Sequence, residues 1–218
     1  MADKHTSNEP VYLGIRTEIL AGERAPGSRL PTAELCTRYG ASVGVVRESL
    51  LRLAEHGLVQ VRPMQGFRVA ELSDADLADL TQARLDIETL ALRYSVEQGD
   101  NVWESHLVGT HHLLATTPRQ DGHGQPFTPD WGRAHGAFHA ALLAGCRNQR
   151  IVTIAQRLRD SAELYRRWSV PAEQQPPRDI AAEHRALLDA VIARDADLAV
   201  ERLESHIRRS NEELRLPA

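Results

Sequence analysis

Ten histidines occur in these 218 residues, and four of them stand at spacings that can gather their rings on one point. His135 and His139 are four residues apart within a helical pattern, so their rings project from one face a turn apart, a common clip for a divalent metal. His184 and His206 are 22 residues apart, and the midpoint of that interval is residue 195. Arg194-Asp195-Ala196-Asp197 there reads as the turn of an antiparallel helical hairpin. At about 1.5 Å per residue each ring lies roughly 15 Å from the turn, which sets the two side by side. Three helices thus bring four imidazoles together, the donor set of a Zn²⁺-type site. Spacing alone leaves a second reading open, in which the rings are hydrogen-bonded structural residues. Glu183, next to His184, opens a third, a metal-dependent hydrolase with an activated water. Against it, no arrangement of nucleophile, base and orienting group accompanies the histidines.

Cations provide the other chemistry. Arg47 sits one turn into a helical pattern at VVRESL, placed to bond a guanine edge or a phosphate, or else to pair with Glu48 or Glu18. Arg62 and Gln65 flank a turn that closes on Gly66, a residue free to adopt positive φ at a hairpin tip near DNA. Arg38 reads as a phosphate contact or a surface charge. Arg52 and Arg68 are weaker candidates for DNA. Arg84 stands equally well as a carboxylate clamp in a cavity or as an intrahelical partner of Glu88 at i+4. Asn148 reads as a helix cap. Trp131, Phe138, Tyr165 and Trp168 read as core or pocket walls, and His106, His111, His112 and His123 as surface or loop residues.

The elements that must position these groups divide the chain near residue 70. Before it, helical spacing runs from Val11 to Ala21 and stops at Gly22; a second helix is predicted from Thr32, as N-cap, to Tyr39; a third begins at the Ser42 cap and carries Val46, Leu50 and Leu53 inward. Leu58-Val59-Gln60-Val61 and Phe67-Arg68-Val69 then alternate at period two around Pro63 to Gly66, predicting a small hairpin. Three helices and a two-stranded wing make a winged helix-turn-helix, whose second motif helix enters the major groove. After residue 70 strand signals vanish. Helical patterns occupy about 73–98, 102–115, 131–146, 148–168, 179–194 and 196–214, broken by TTPRQDGHGQPFTPD and VPAEQQPPRD. The expected fold class is mainly α, an N-terminal winged helix over 1–70 and an all-helical bundle of about six helices over 71–218.

Composition narrows the classes. No apolar run approaches the roughly 18 residues of a membrane span, and MADKHTSNEPVYLG lacks the basic then apolar order of a secretion signal. Two cysteines, Cys36 and Cys146, cannot build a disulfide framework, which points to a reducing cytoplasm and, for a DNA binder, the nucleoid. The net charge is −4, but residues 1–70 hold nine basic against seven acidic residues, a balance of +2. Only that segment approaches phosphates without a large penalty. So small an excess makes few phosphate contacts, so two copies on adjacent half-sites are expected, that is, a homodimer on a palindromic operator.

PGSRLP (26–31), ELCTRYGAS (34–42), VVRESLLRLAEHGLV (45–59) and the wing's QG (65–66), followed by LSDADLADLTQARLDIETLA (72–91), FHAALLAGCRNQRI (138–151), HRALLDAVIARDADLA (184–199) and His206, resemble in order and spacing the GntR family of bacterial transcription regulators. The likeness is to its FadR-type branch with a helical FCD ligand-binding domain, and it spans nearly the whole chain. It implies a ligand-responsive, non-enzymatic regulator of double-stranded DNA, a repressor by expectation, with a small carboxylate as effector. It also implies a metal site made of an Asp, a His four residues later and two further His; here His139, His184 and His206 match, and His135 stands where the Asp would be. Neutral imidazole in place of carboxylate favours Zn²⁺ or Ni²⁺ over Mn²⁺ or Mg²⁺, and leaves more positive charge for an anionic ligand. Val43 replaces the family's usual Arg after Ser42, and LPTAEL lacks another Arg of the pattern. Base reading therefore falls to Arg47, Ser42 and the wing, with Val43 available to a thymine methyl.

Overall fold

A computed structural model describes residues 8–120, 127–169, 178–212, 214 and 216. His123 and most of the VPAEQQPPRD connection lie outside the described residues. The chain forms two compact units, one of residues up to Ser73 together with Asp160–Trp168, the other of Asp74–Arg159 and the residues from Ser169 onward.

In the first unit α1 (Asn8–Leu20), α2 (Thr32–Tyr39) and α3 (Val43–Glu55) precede a hairpin of β1 (Val59–Arg62) and β2 (Gly66–Val69). Val11, Ile15 and Ile19 recur at helical spacing and bury one face of α1. They share a core with Leu35 of α2, Val46, Leu50 and Leu53 of α3, Leu58, Phe67 and Val69 of the hairpin, and Leu164. Ser42 caps α3 as expected, its hydroxyl accepting from the Val45 amide. The cap expected at Thr32 is not made: Pro31 takes the N-cap place in extended conformation, and Thr32 is already helical. The antiparallel register pairs Val59 with Val69 and Arg62 with Gly66, so Phe67 and Val69 face the core while Gln60 pairs with Arg68. Gly66 carries φ +83, and a Cβ there would meet nothing within 4 Å, so its glycine answers a backbone need rather than a packing one.

The second unit holds α4 (Asp74–Gln98), α5 (Asn101–Thr116), α6 (Pro129–Leu143), the first half of α7 (Gln149–Trp168), α8 (Ile180–Ile192) and α9 (Ala196–Glu212). Its core gathers Leu92, Val96, Leu107, Phe138, Leu142, Leu187, Val191, Leu203 and Ile207. Asp100, Thr128 and Asp179 cap α5, α6 and α8, each accepting from the backbone amide three residues on. Trp103 is buried and donates from its indole nitrogen to the Ala141 carbonyl at 2.7 Å. It lies so close to Gly145 that a Cβ there would come within 2.9 Å of the ring. The α8–α9 turn falls at Ala193 to Asp195, with Arg194 at φ 57, so α8 and α9 run back along each other about the midpoint of the His184–His206 interval. No helix among the described residues is long and apolar enough to cross a membrane.

Candidate functional site

Helix periodicity delivers the histidines. His135 and His139 point inward from α6, His184 from α8 and His206 from α9, and all four are buried. One ligand atom from each lies within 4.8 Å of every other. The ring centroids of His139 are 5.2 Å from His184 and 4.9 Å from His206, and those of His135 and His139 are 4.4 Å apart. Nε2 of His139 faces Nε2 of His184 at 3.3 Å. A tetrahedral ion with about 2.0–2.1 Å bonds to nitrogen needs donors about 3.3–3.4 Å apart, so this pair already has the required edge. Nδ1 of His139 is buried with no hydrogen-bond partner among the described residues. The four-histidine group therefore fits a divalent metal.

Its surroundings orient it. Oε2 of Glu183 accepts from Nδ1 of His206 at 2.9 Å, which leaves Nε2 of that ring to face inward. Arg178 holds the same carboxylate, its Nε 2.7 Å from Oε1, and Arg209 adds a contact at 3.3 Å. Burial works to raise the Glu183 pKa, but the Arg178 and His206 bonds outweigh it and hold the carboxyl far below its ordinary range. Engaged in this way, Glu183 is a positioning group for His206 and not the water-activating base that the hydrolase reading requires. Burial first, then the nearby Arg159 charge, push the His139 pKa well below its ordinary value; burial likewise lowers His206 despite its carboxylate partner. Both rings are therefore neutral and able to ligate at physiological pH.

Arg84 takes the intrahelical position: its Nε donates to Oε1 of Glu88 at 2.6 Å. Glu88 is fully buried, and its other oxygen lies 3.5 Å from Nη1 of Arg159. Two guanidiniums thus meet one buried carboxylate, and both arginines act on the nearby His139 ring. Arg159 escaped the sequence reading because its partner is 71 positions away and α7 shows no spacing that singles it out. His111, expected at the surface, is instead buried with its ring edge-on to Phe138 at 5.3 Å. A signal existed: Leu107, His111 and Leu114 share the i, i+4, i+7 face of α5. His106 and His112 are exposed, Asn148 caps α7 through the Arg150 and Ile151 amides, and Trp131 stacks on His135 at 4.8 Å.

On the first unit Ser42, Val43 and Arg47 are exposed along the start of α3, and Gln65 and Gly66 at the hairpin tip. Arg47 makes no ion pair among the described residues, and its guanidinium lies 5.8 Å from the Phe67 ring centroid, beside the wing. Arg38 is engaged instead with Glu18 at 2.6 Å, and Arg62 with Glu71 at 3.1 Å and the Gln60 side chain at 3.0 Å. Arg52 pairs with Glu9, and Arg68 donates to the Gly27 carbonyl. Met64 is fully exposed at the wing turn with φ 60, a position the sequence reading passed over.

Residues 8–69 match the family described as bacterial regulatory proteins, gntR family, and residues 79–209 match the FCD domain. An uncharacterised HTH-type transcriptional regulator, BphR, from Paraburkholderia xenovorans is 37% identical over 209 residues, covering 93% of this chain and 82% of that protein. The HTH-type transcriptional repressor GlaR of Escherichia coli is 31% identical over 200 residues, covering 90% of each. Among solved structures, E. coli McbR/YncC superposes with a TM-score of 0.76 at 21% identity over 93% of both chains. A putative GntR regulator from Rhodococcus sp. RHA1 gives 0.72 at 20% identity, covering 94% of this chain and 95% of that one. These two likenesses speak to the fold, and the sequence relatives and domain matches to the family. The chain belongs to the gntR family of bacterial regulatory proteins, carries an FCD domain, and is a transcription regulator, not an enzyme.

Proposed function

We propose that this protein is a cytoplasmic, nucleoid-associated repressor that acts as a homodimer on a palindromic operator and is released or retained by a small carboxylate sensed in its helical domain. The reading rests on one observation: four buried imidazoles from three helices converge within 4.8 Å. His135, His139, His184 and His206 would hold the ion, and an all-nitrogen donor set suits Zn²⁺ or Ni²⁺. Bound there, the ion supplies positive charge and a Lewis-acidic anchor for an anion. Glu183 fixes the His206 ring, and Arg84 with Arg159 supplies the adjoining charge for the effector's carboxylate. The names of relatives support the sign of control, since GlaR and RspR of E. coli are described as repressors.

On DNA, Ser42, Val43 and Arg47 present the start of α3 to base edges, Arg62, Gln65 and Gly66 present the wing, and Arg38 steadies the backbone. Effector binding acts by favouring one of two placements of the paired DNA-binding units. The test is operator binding with the DNA upstream of the protein's own coding sequence, using metal-loaded full-length protein over a range of salt. A salt-sensitive specific complex that weakens or strengthens on adding organic acids supports the reading. Binding indifferent to sequence and to every acid contradicts it.

A further inference from the structure

Two residues other than glycine hold positive φ among the described residues, Arg194 at 57° and Met64 at 60°. A Cβ crowds the left-handed region, so each position needs something that offsets the strain. At Arg194 the offset is visible. Its guanidinium donates to the Val96 and Gly99 carbonyls at 3.1 and 2.8 Å and to Glu104 at 2.9 Å, and lies over the Trp103 ring. At Met64 the side chain is fully exposed, so packing within the chain offsets nothing. The Gln65 amide donates to the Arg62 carbonyl at 3.0 Å and closes a turn with Pro63 second and Met64 third, the place where a type II turn favours Gly or Asn. A strained, exposed apolar residue at that place is kept by what it binds and not by the fold.

Its surroundings say what it binds. Residues 60–69, QVRPMQGFRV, hold no Asp or Glu, and their two cations are engaged away from the turn, Arg62 with Glu71 and Arg68 with the Gly27 carbonyl. Pro63, Met64, Gln65 and Gly66 are left as an exposed, uncharged end to the hairpin. The Arg47 guanidinium lies 5.8 Å from the Phe67 ring, so the hairpin flanks the N-terminal half of α3. With α3 in the major groove, the end of the hairpin falls to the adjoining minor groove, about 6 Å wide, where apolar side chains enter between base steps.

We propose that Met64 is a specificity-determining residue, an apolar wedge that enters the minor groove, opens one base step and selects operators with an easily kinked pyrimidine–purine step at that place. The inference goes beyond the contacts assigned to Arg47, Arg62, Gln65 and Gly66, because a wedge reads the deformability of the duplex and not the edges of its bases. It rests on the reading that α3 and the wing bind duplex DNA.

Selection from a randomised duplex library tests it, with the full-length protein and its Met64→Gly and Met64→Leu variants. The unaltered protein and Met64→Leu should enrich a TA or CA/TG step outside the bases that face α3. Met64→Gly, which suits the positive φ, should lose that enrichment alone, keep or raise the unfolding midpoint, and bind the selected duplex about tenfold more weakly. Energy transfer between labelled duplex ends should show a bend that Met64→Gly reduces. The same enrichment and the same bend in Met64→Gly overturn the wedge while DNA binding stands. Loss of enrichment at every position, or a lower unfolding midpoint, makes Met64 a structural residue of the wing and overturns the wedge equally. Failure of the unaltered protein to enrich any sequence overturns the DNA reading itself.

Discussion

The two units carry their chemistry in opposite ways. On the winged helix the candidate contacts are exposed, and Arg47 stands beside the wing without an acid partner among the described residues. In the helical unit the working groups are largely buried: four imidazoles, the Arg159 guanidinium and the Glu88 carboxylate lie among apolar side chains, with Arg84 half-buried beside them. The difference follows from what each must bind. A duplex is too large to enclose, so its recognition depends on surface cations that salt can screen. An ion or a small anion is held only where water is excluded and donors are fixed beforehand. Changes on the first surface should therefore alter binding and leave folding intact, whereas changes among the buried groups should alter both.

Arg47→Ala puts the largest effect on that contrast. Each half-site should lose about 1–3 kcal/mol of specific affinity, about 2–6 kcal/mol for a dimer, with the unfolding midpoint unchanged. Fluorescence anisotropy with specific and scrambled duplexes checks it, and an equal loss on both would reduce Arg47 to a phosphate contact. Metal removal comes next and acts on the other unit. At ion concentrations a hundredfold above the dissociation constant, chelation should cost about 2.7 kcal/mol of stability, read as a fall in unfolding midpoint. His139→Ala should abolish the dependence on metal, and Arg47→Ala should preserve it.

Glu183→Gln sharpens the comparison within the buried group. The orienting carboxylate is removed while shape is kept, so metal affinity should fall about 10–100-fold, measured by competition with a chromophoric chelator. Unaltered affinity would mean that His206 does not ligate. The smallest effect is on pH. Burial keeps His139 and His206 neutral when folded, with pKa values below the ordinary 6.5, whereas the unfolded chain protonates them near that value. The unfolded state thus takes up more protons as pH falls. Metal-free protein should have a level stability above about pH 6.5 and lose it progressively below, as denaturant titrations at several pH values would show. In His139→Ala that loss should shrink.

Much of the fold is legible in the sequence because it is repetitive: the helical patterns from 73 to 214 lie within a few residues of the six helices α4 to α9. The histidine group is legible for a geometric reason, since an i, i+4 pair and a hairpin midpoint at residue 195 are local arithmetic on rigid helices. What escaped is tertiary. The pairing of Glu88 with Arg159, and that of Arg16 with Asp160 at 2.7 Å across 144 positions, have no local signature. The same holds for the placement of Asp160–Trp168 with the N-terminal unit, where Leu164 joins that core. Thr32 failed as a cap because Pro31, already extended, begins the helix one residue earlier than hydroxyl preference implies. His111 reads as a surface residue by type although its position on the core-facing stripe of α5 is apolar.

The most direct test is X-ray absorption at the metal edge on untagged full-length protein reconstituted with Zn²⁺. One ion per chain, surrounded by four imidazole nitrogens at about 2.0–2.1 Å, is the expected result, with His139→Ala losing the ion. Protein that retains no stoichiometric ion, or an ion whose ligands are mainly oxygen or sulfur, would contradict the assignment of these four rings to a metal centre.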